Sequence, residues 1–475
     1  MGLEFGVWSI FPPLLTIFMA VFTRQVIVSL LIGVLAGYWV LSGFEVGLGL
    51  QSSVHGMVEV FQAEGSAKTL LFGVMVGGVI HLARFTGGMQ ALVGLLCDKA
   101  KVVRGPVSTQ LLGGAIAGLI FIESNLSLLT AGTVTSSLAA KHGVSKEQMA
   151  YVIRNTGLCV WSSMLINGWG AAMMGIIAVQ VSKGFIQGEP FEIMAKSIGY
   201  NFFAWASLLV ILASVLTRLD FSAMRQARKR ALDEAEDASA GPAASLVCSA
   251  GSAKIEGSVS NLLVPLVAMV AFVPIGLYIT GGGDLERGSG STAVLWAVLV
   301  GQIAGFVHYV FIKRILSVEA YTNELLAGYQ TMVPLAVVLT LAFLIGNVSG
   351  QLNVGGYLAH HMSGTIPAGL TAAFIFVIAA IISLSTGTSW GTFSIMIPIG
   401  VQAAVAAGVE PYMVIGAAIS GSLLGDAVSP ISDTGIVASM STGAELVAHI
   451  KTQFPYCMLA GALALAAFVL VGMFA

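Results

Sequence analysis

The sequence predicts an all-α polytopic membrane protein, and three observations carry that prediction. Of 475 residues, 57% are hydrophobic and only 9% are charged, against about 25% charged in a soluble domain. Mean hydropathy is +0.92. Apolar windows recur at 10–22, 26–41, 202–216, 262–279, 294–312 and 370–384. Some are shorter than the roughly 20 residues of a perpendicular span, but polar residues facing other helices extend such windows. About ten to twelve membrane-embedded segments are expected.

In chain order, Pro12 and Pro13 fall inside the first apolar run and predict a kink or a late helix start. The stretch 46–62 is short and mixed, suited to the interface or to joining two spans. Residues 69–83 form a further apolar segment carrying His81 and followed by Arg84, and Lys99, Lys101 and Arg104 then mark a loop. The largest break is 219–260. It opens with Arg225, Arg228, Lys229 and Arg230, continues with Asp233, Glu234, Glu236 and Asp237, and ends in an Ala/Ser/Gly run. Its first part suits a short charged helix and the rest a flexible linker. The basic cluster directly follows a span, so the positive-inside rule places this linker in the cytoplasm. Three regions result: a membrane half over 1–218, the linker over 219–260, and a second membrane half over 261–475.

Several classes are disfavoured. Net charge is −2, with no basic stripe carrying interleaved aromatics, so nucleic acid is not an expected partner. Cys97, Cys159, Cys248 and Cys457 have neither disulfide-framework nor zinc-site spacing. The first residues read as a retained helix rather than a cleaved signal. No nucleophile–base pairing emerges, so an enzyme is not expected, nor is a cofactor.

The two halves repeat one another. The run 69–72 has a counterpart at 331–334, and Lys141-His142-Gly143-Val144 aligns with Ala406-Ala407-Gly408-Val409. Chance likeness between apolar segments is the alternative, but an offset between 262 and 265 that persists through polar landmarks favours duplicated architecture. Internal repeats characterise secondary transporters, whose sites form where the repeats meet.

Between Glu324 and Glu410 there is no Asp, Glu, Lys or Arg, and then Asp426 and Asp433 appear seven residues apart in apolar context. A carboxylate at the bilayer centre costs about 2.5–3.5 kcal/mol on insertion scales. Pro430 between them predicts an unwound break. An Asp there can ligate a cation, with helix capping as the structural alternative. Upstream lies a Ser/Thr/Gly run, 385–392, containing Thr386, Thr388 and Ser389. Its counterparts 265 residues earlier include Ser124 and Ser127, beside Asn125. The stretch 124–140 is too polar to face lipid and suits a hairpin that enters and leaves on one side. Glycines let the backbone leave helical geometry, freeing carbonyl and hydroxyl oxygens to replace a cation's hydration shell. Close helix packing is the competing use of these residue types. Asn155 and Thr156 are the polar element of the first half that answers Asp426, Ser432, Asp433 and Thr434. Arg154 has two readings: partner of an acid or anionic solute, or the end marker of a helix. Trp161, Trp169 and Trp390 read as packing residues.

The run 385–392, then Gly425-Asp426 and Ser429-Pro430-Ile431-Ser432-Asp433-Thr434, resembles the NhaC-type sodium/proton antiporter family, as do the opening 11–15 and 23–26. The resemblance implies two inverted repeats, each with a re-entrant hairpin and a broken helix, in a homodimer moving by an elevator-like mechanism. It departs at Glu123-Ser124 and Arg154-Asn155-Thr156, where the family commonly has more acids. These departures favour an organic solute, so sodium coupling is the firmer expectation: sodium-coupled secondary transport in the cell inner membrane, with Na⁺/H⁺ antiport as the lead activity. The alternatives are sodium-coupled transport of an amino acid or carboxylate, and, of another class, a passive channel. Asp426 and Asp433 are the expected Na⁺ ligands. Ser432, Thr434, Thr386, Thr388, Ser389, Ser124, Asn125, Ser127, Asn155 and Thr156 complete the expected cation or substrate site.

Overall fold

The computed structural model describes residues 5–23, 25–88, 91–92, 95, 103, 105–121, 124–165, 167–218, 220–239, 257–283, 289–354, 357, 367–430 and 432–474. Among them there is no strand. The first half comprises α1 Phe11–Thr23, α2 Val26–Leu41, α3 Val46–Gln62, α4 Glu64–Phe85, α5 Pro106–Leu119, α6 Ser124–Lys141, α7 Lys146–Ser162, α8 Gly168–Ser182, α9 Pro190–Gly199 and α10 Phe202–Thr217. After α11 Ser222–Ser239, the second half comprises α12 Ser260–Thr280, α13 Gly290–Phe306, α14 Val318–Thr331, α15 Val333–Gln351, α16 Thr371–Thr386, α17 Ser389–Ala407, α18 Pro411–Val428, α19 Asp433–Thr442 and α20 Leu446–Phe474.

Among the described residues seven helices are long and apolar enough to cross a membrane, and the number reaches ten if three bent pairs each count as one span. That meets the lower end of the count expected from sequence. The sharpest bend, 120°, lies between α2 and α3, so the mixed stretch 46–62 turns back on its neighbour rather than continuing the span.

The repeat is visible in the helix boundaries. Pro106 and Thr371, Ser124 and Ser389, Lys146 and Pro411, and Gly168 and Asp433 begin four pairs of helices, each pair 265 residues apart. In each half a helix (α5, α16) turns into a second arm (α6, α17), and a third helix (α7, α18) packs on both. The third helix then breaks before a short continuation (α8, α19). Gly387, at φ +69°, makes the turn between α16 and α17, a left-handed conformation that glycine adopts without steric cost. The breaks end on matched N-caps. Asn167 accepts from the Gly170 amide at 2.8 Å, and Ser432 accepts from the Gly435 amide at 3.4 Å.

The continuations exchange sides. α8 leaves α7 to lie on α17, α15 and α4, while α19 leaves α18 to lie on α6 and α7. Each half's broken helix is therefore completed by packing against the other half. The exchange encloses the centre: the α18 span is 89% buried against 33% for α12. Small residues permit the close approach. A Cβ at Gly421 would meet the Phe376 carbonyl oxygen at 2.2 Å, and one at Gly425 the Ala380 carbonyl oxygen at 2.2 Å.

The charged helix α11 lies against α6, α7 and α20. Arg228 pairs with Asp220 at 2.6 Å, Arg230 pairs with Glu147 at 3.3 Å, and the Tyr456 hydroxyl donates to Asp220 at 3.1 Å. Burial pushes the Asp220 carboxyl up from its ordinary value, against the pull of Arg228 and the Tyr456 hydroxyl. A raised acid pKa gives stability that is complete at low pH and is lost as pH rises through the folded-state value. Arg228→Gln raises that value further. Its expected cost is about 1–3 kcal/mol at neutral pH, shrinking toward pH 4 as the unpaired carboxyl takes up a proton. Thermal unfolding in detergent at both pH values checks this, and an equal loss at each would contradict it.

Candidate functional site

Asp426 sits in the last turn of α18 and is 1% exposed. A carboxylate there adds its charge to the negative end of the helix dipole and to carbonyls left unpaired by the break. Burial makes such a site strongly attractive to a cation. The cation present is Arg154 of α7, which is fully buried. Its Nη2 donates to Asp426 Oδ1 at 3.2 Å and to the Asp426 carbonyl at 2.7 Å. Its Nη1 donates to the Ala427 carbonyl at 3.0 Å, and its Nε to Thr434 Oγ1 at 3.2 Å.

Three hydroxyls complete the shell. Ser389 Oγ, at the start of α17, donates to Asp426 Oδ2 at 2.6 Å. Ser432 Oγ, the N-cap of α19, donates to Oδ1, and Thr434 Oγ1 donates to the same oxygen at 3.3 Å. Arg154 thus comes from the first half, while the carboxylate and hydroxyls come from the second half's hairpin and broken helix. Gln453 of α20 extends the network, donating to the Ala427 carbonyl at 2.6 Å and accepting from Asn155 at 2.9 Å.

The sequence profile of the Na⁺/H⁺ antiporter family matches residues 162–473. The chain belongs to the Na⁺/H⁺ antiporter family. The match covers Ser389, Asp426, Ser432 and Thr434, while Arg154 lies just ahead of it. A Haemophilus influenzae protein is 27% identical over 98% of this chain and 91% of its own length. A protein of the same organism named as an uncharacterized Na⁺/H⁺ antiporter is 30% identical over 31% of each chain. The fold resembles that of Neisseria gonorrhoeae MtrF, described as one of a class of antimetabolite efflux pumps, with a TM-score of 0.60 and 15% identity over 89% of this chain and 84% of that one. The chain is an ion-coupled transporter and not an enzyme.

Within this antiporter-family fold the residues singled out from sequence fall into three groups. Asp426, Ser389, Ser432 and Thr434 converge. Asp433 begins α19 but is exposed, and its carboxylate accepts from the Thr434 amide at 2.7 Å. The others serve the framework. Thr386 Oγ1 donates to the Ile382 carbonyl one turn back, and Thr388 lends its carbonyl to Thr392. Ser127 Oγ donates to the Ala117 carbonyl at 2.8 Å, joining the arms of the first hairpin. Ser124 is half-buried at the start of α6, and Thr156 is half-buried beside Gly114. The Asn125 side chain lies outside the described residues, as do Glu123, His360 and His361. Among the described residues no group of three His, Cys, Asp or Glu gathers as a metal site.

Trp161 explains why the repeat does not build a second carboxylate site. It stands 265 residues before Asp426. It is fully buried, with Nε1 donating to the Ala117 carbonyl at 3.2 Å. Where the second half has an acid, the first has an indole.

Gly435 gives Arg154 its room, since a Cβ there would meet the guanidinium Cζ and Nη1 at 3.1 Å. Gly435→Ala is expected to displace the guanidinium by a few tenths of an ångström and to lower stability by about 1 kcal/mol. Denaturant unfolding beside Gly435→Ala/Arg154→Met separates this from a general effect on α19. An equal cost of the alanine in both backgrounds would refute it.

Proposed function

We propose that this chain is a sodium-coupled secondary transporter carrying out Na⁺/H⁺ antiport by alternating access. In this reading Asp426 is the carboxylate at which Na⁺ and H⁺ compete. The observation that carries the reading is a fully buried carboxylate at a helix break, ringed by Arg154 and three hydroxyls. Arg154 remains protonated at any working pH, so it acts as a tethered counter-ion. It holds Asp426 when neither Na⁺ nor H⁺ is bound and gives way when one arrives. The Ser389, Ser432 and Thr434 hydroxyls, which now donate to the carboxylate, turn lone pairs toward an entering Na⁺, and the Ala427 carbonyl adds a further oxygen. Asp433, at the exposed side, attracts the cation on its way in. Proton and sodium exclude each other at Asp426 because each satisfies the same charge.

An organic anion as cargo is less well supported, because the guanidinium that would recognise it is already committed to Asp426 and two carbonyls. The family resemblance supports a homodimer in the cell inner membrane and an elevator-like motion. The basic cluster after α10 supports a cytoplasmic α11. Flux in proteoliposomes tests the activity. A sodium gradient is expected to drive an internal pH change without any organic solute. Accumulation of a solute only in the presence of sodium would replace antiport with symport, and gradient-independent conductance would replace both with a channel.

A further inference from the structure

The polar network does not end at Gln453. One turn back along α20 on the same buried face lies His449, 0% exposed. Neither ring nitrogen has a partner in hydrogen-bonding geometry, although the Glu147 backbone lies close enough to act on the ring. Buried polar groups are nearly always paired, so an imidazole left open in a membrane-embedded helix calls for a reason. The Glu147 side chain is 13% exposed and paired with Arg230 of α11 at the surface. A polar series therefore runs from the surface pair Arg230–Glu147 past His449, through Gln453 and Asn155, to Arg154 and Asp426.

We infer that His449 is a second proton-binding site, and that its occupancy and that of the Asp426 cation site oppose one another through charge. The inference rests on the reading of Asp426 as the cation site. A proton from solvent at the Glu147 end adds to an imidazole nitrogen and gives imidazolium. The same N–H bond breaks when the proton leaves, and no other bond forms or breaks.

The charged and titratable groups on the elements packed against α20 can be named. α7 carries Lys146, Glu147, Tyr151, Arg154 and Cys159. α18 carries Tyr412 and Asp426, and α19 carries Asp433. α11 carries Arg225, Arg228, Lys229, Arg230, Asp233, Glu234, Glu236 and Asp237, while α10, α16 and the turn before α16 carry none. Lys451, Tyr456 and Cys457 belong to α20 itself.

Glu147 and Arg154 are two helical turns apart, so the ring and the Asp426 pair are separated by about 10 Å along the axis. At that distance in a protein interior one added charge changes the occupancy of the other site about tenfold. Sodium bound at Asp426 therefore favours release of the His449 proton, and the reverse holds by linkage.

The test uses full-length protein in nanodiscs with isotope-labelled histidine, the His449 signal being assigned by its loss in His449→Gln. In wild type the signal is expected to move from the neutral toward the imidazolium form as pH falls. In Asp426→Asn the midpoint should fall by about one pH unit, because a neutralising negative charge is gone. A signal that does not titrate, or a midpoint unmoved by Asp426→Asn, overturns the inference whether or not sodium binds. Sodium half-saturation across the same titration supplies the second arm. At the acid end wild type should need about tenfold more sodium than His449→Gln, which keeps only the pH dependence of Asp426 itself. An unchanged profile in His449→Gln contradicts the role of His449, whereas no sodium response in wild type contradicts the reading of Asp426.

Discussion

Asp426→Asn is expected to reduce sodium-driven proton flux to background and to cost about 3–5 kcal/mol of stability. The two effects have one origin. Asp426 is the only negative charge that Arg154 contacts among the described residues, and the substitution leaves a fully buried guanidinium unpaired. Desolvating two charges is expensive, so the intact pair itself adds little net stability. Removing one member is what exposes the cost. The double variant Asp426→Asn/Arg154→Met is therefore expected to regain part of the lost stability while flux stays at background, a non-additivity of the kind seen for contacting groups. Unfolding in detergent and flux in proteoliposomes measure the two sides. Wild-type sodium dependence in Asp426→Asn would remove Asp426 from the site, and additive stability losses would remove the ion pair from the explanation.

Gly425→Ala is expected to be nearly as damaging to flux, although it touches no charge. The new Cβ would meet the Ala380 carbonyl oxygen at 2.2 Å, the Leu384 amide nitrogen at 2.6 Å and the Ser383 Cβ at 2.6 Å. Two of these are backbone atoms, which cannot swing aside, so α16 and α18 must separate. Overpacking of this kind costs about 1–3 kcal/mol, here toward the upper end. The separation also moves the next residue, Asp426, relative to Ser389, which depends on a 2.6 Å hydrogen bond. Gly47→Ala is the control. It lies in α3 with nothing within 4 Å of the added atom, and it is expected to be neutral or to gain up to about 1 kcal/mol from helix propensity. Thermal unfolding of both variants decides. Equal stability in Gly425→Ala and wild type would refute the close-packing account.

Much of the fold was legible because local chemistry dictates it. Apolar windows fixed the class, and Pro430 fixed where one helix stops and restarts, since its missing amide acts within one helical turn. The repeat was legible for a different reason: its offset survives through polar landmarks such as Lys141 and Gly408, which composition alone does not match. Within the site, Asp426, Ser389, Ser432 and Thr434 stood out because polar groups in apolar context need partners.

The rest was decided by packing between residues far apart in the chain. Arg154 and Asp426 are 272 residues apart, and nothing around Arg154 distinguishes an ion-pair partner from a residue marking a helix end. Symmetry suggested that Asn155 and Thr156 complete the cation site. The exchange of α8 and α19 instead brings Arg154 to Asp426 and turns Asn155 toward Gln453. Asp433 and Asp426 look equivalent in sequence, yet Asp433 is exposed at the start of α19 while Asp426 is enclosed in the last turn of α18. Local chemistry set the membrane class, the duplication, the break at Pro430 and the unusual acids. Which acid is buried and which cation faces it came from packing, because burial and electrostatic pairing depend on the surrounding three-dimensional neighbours.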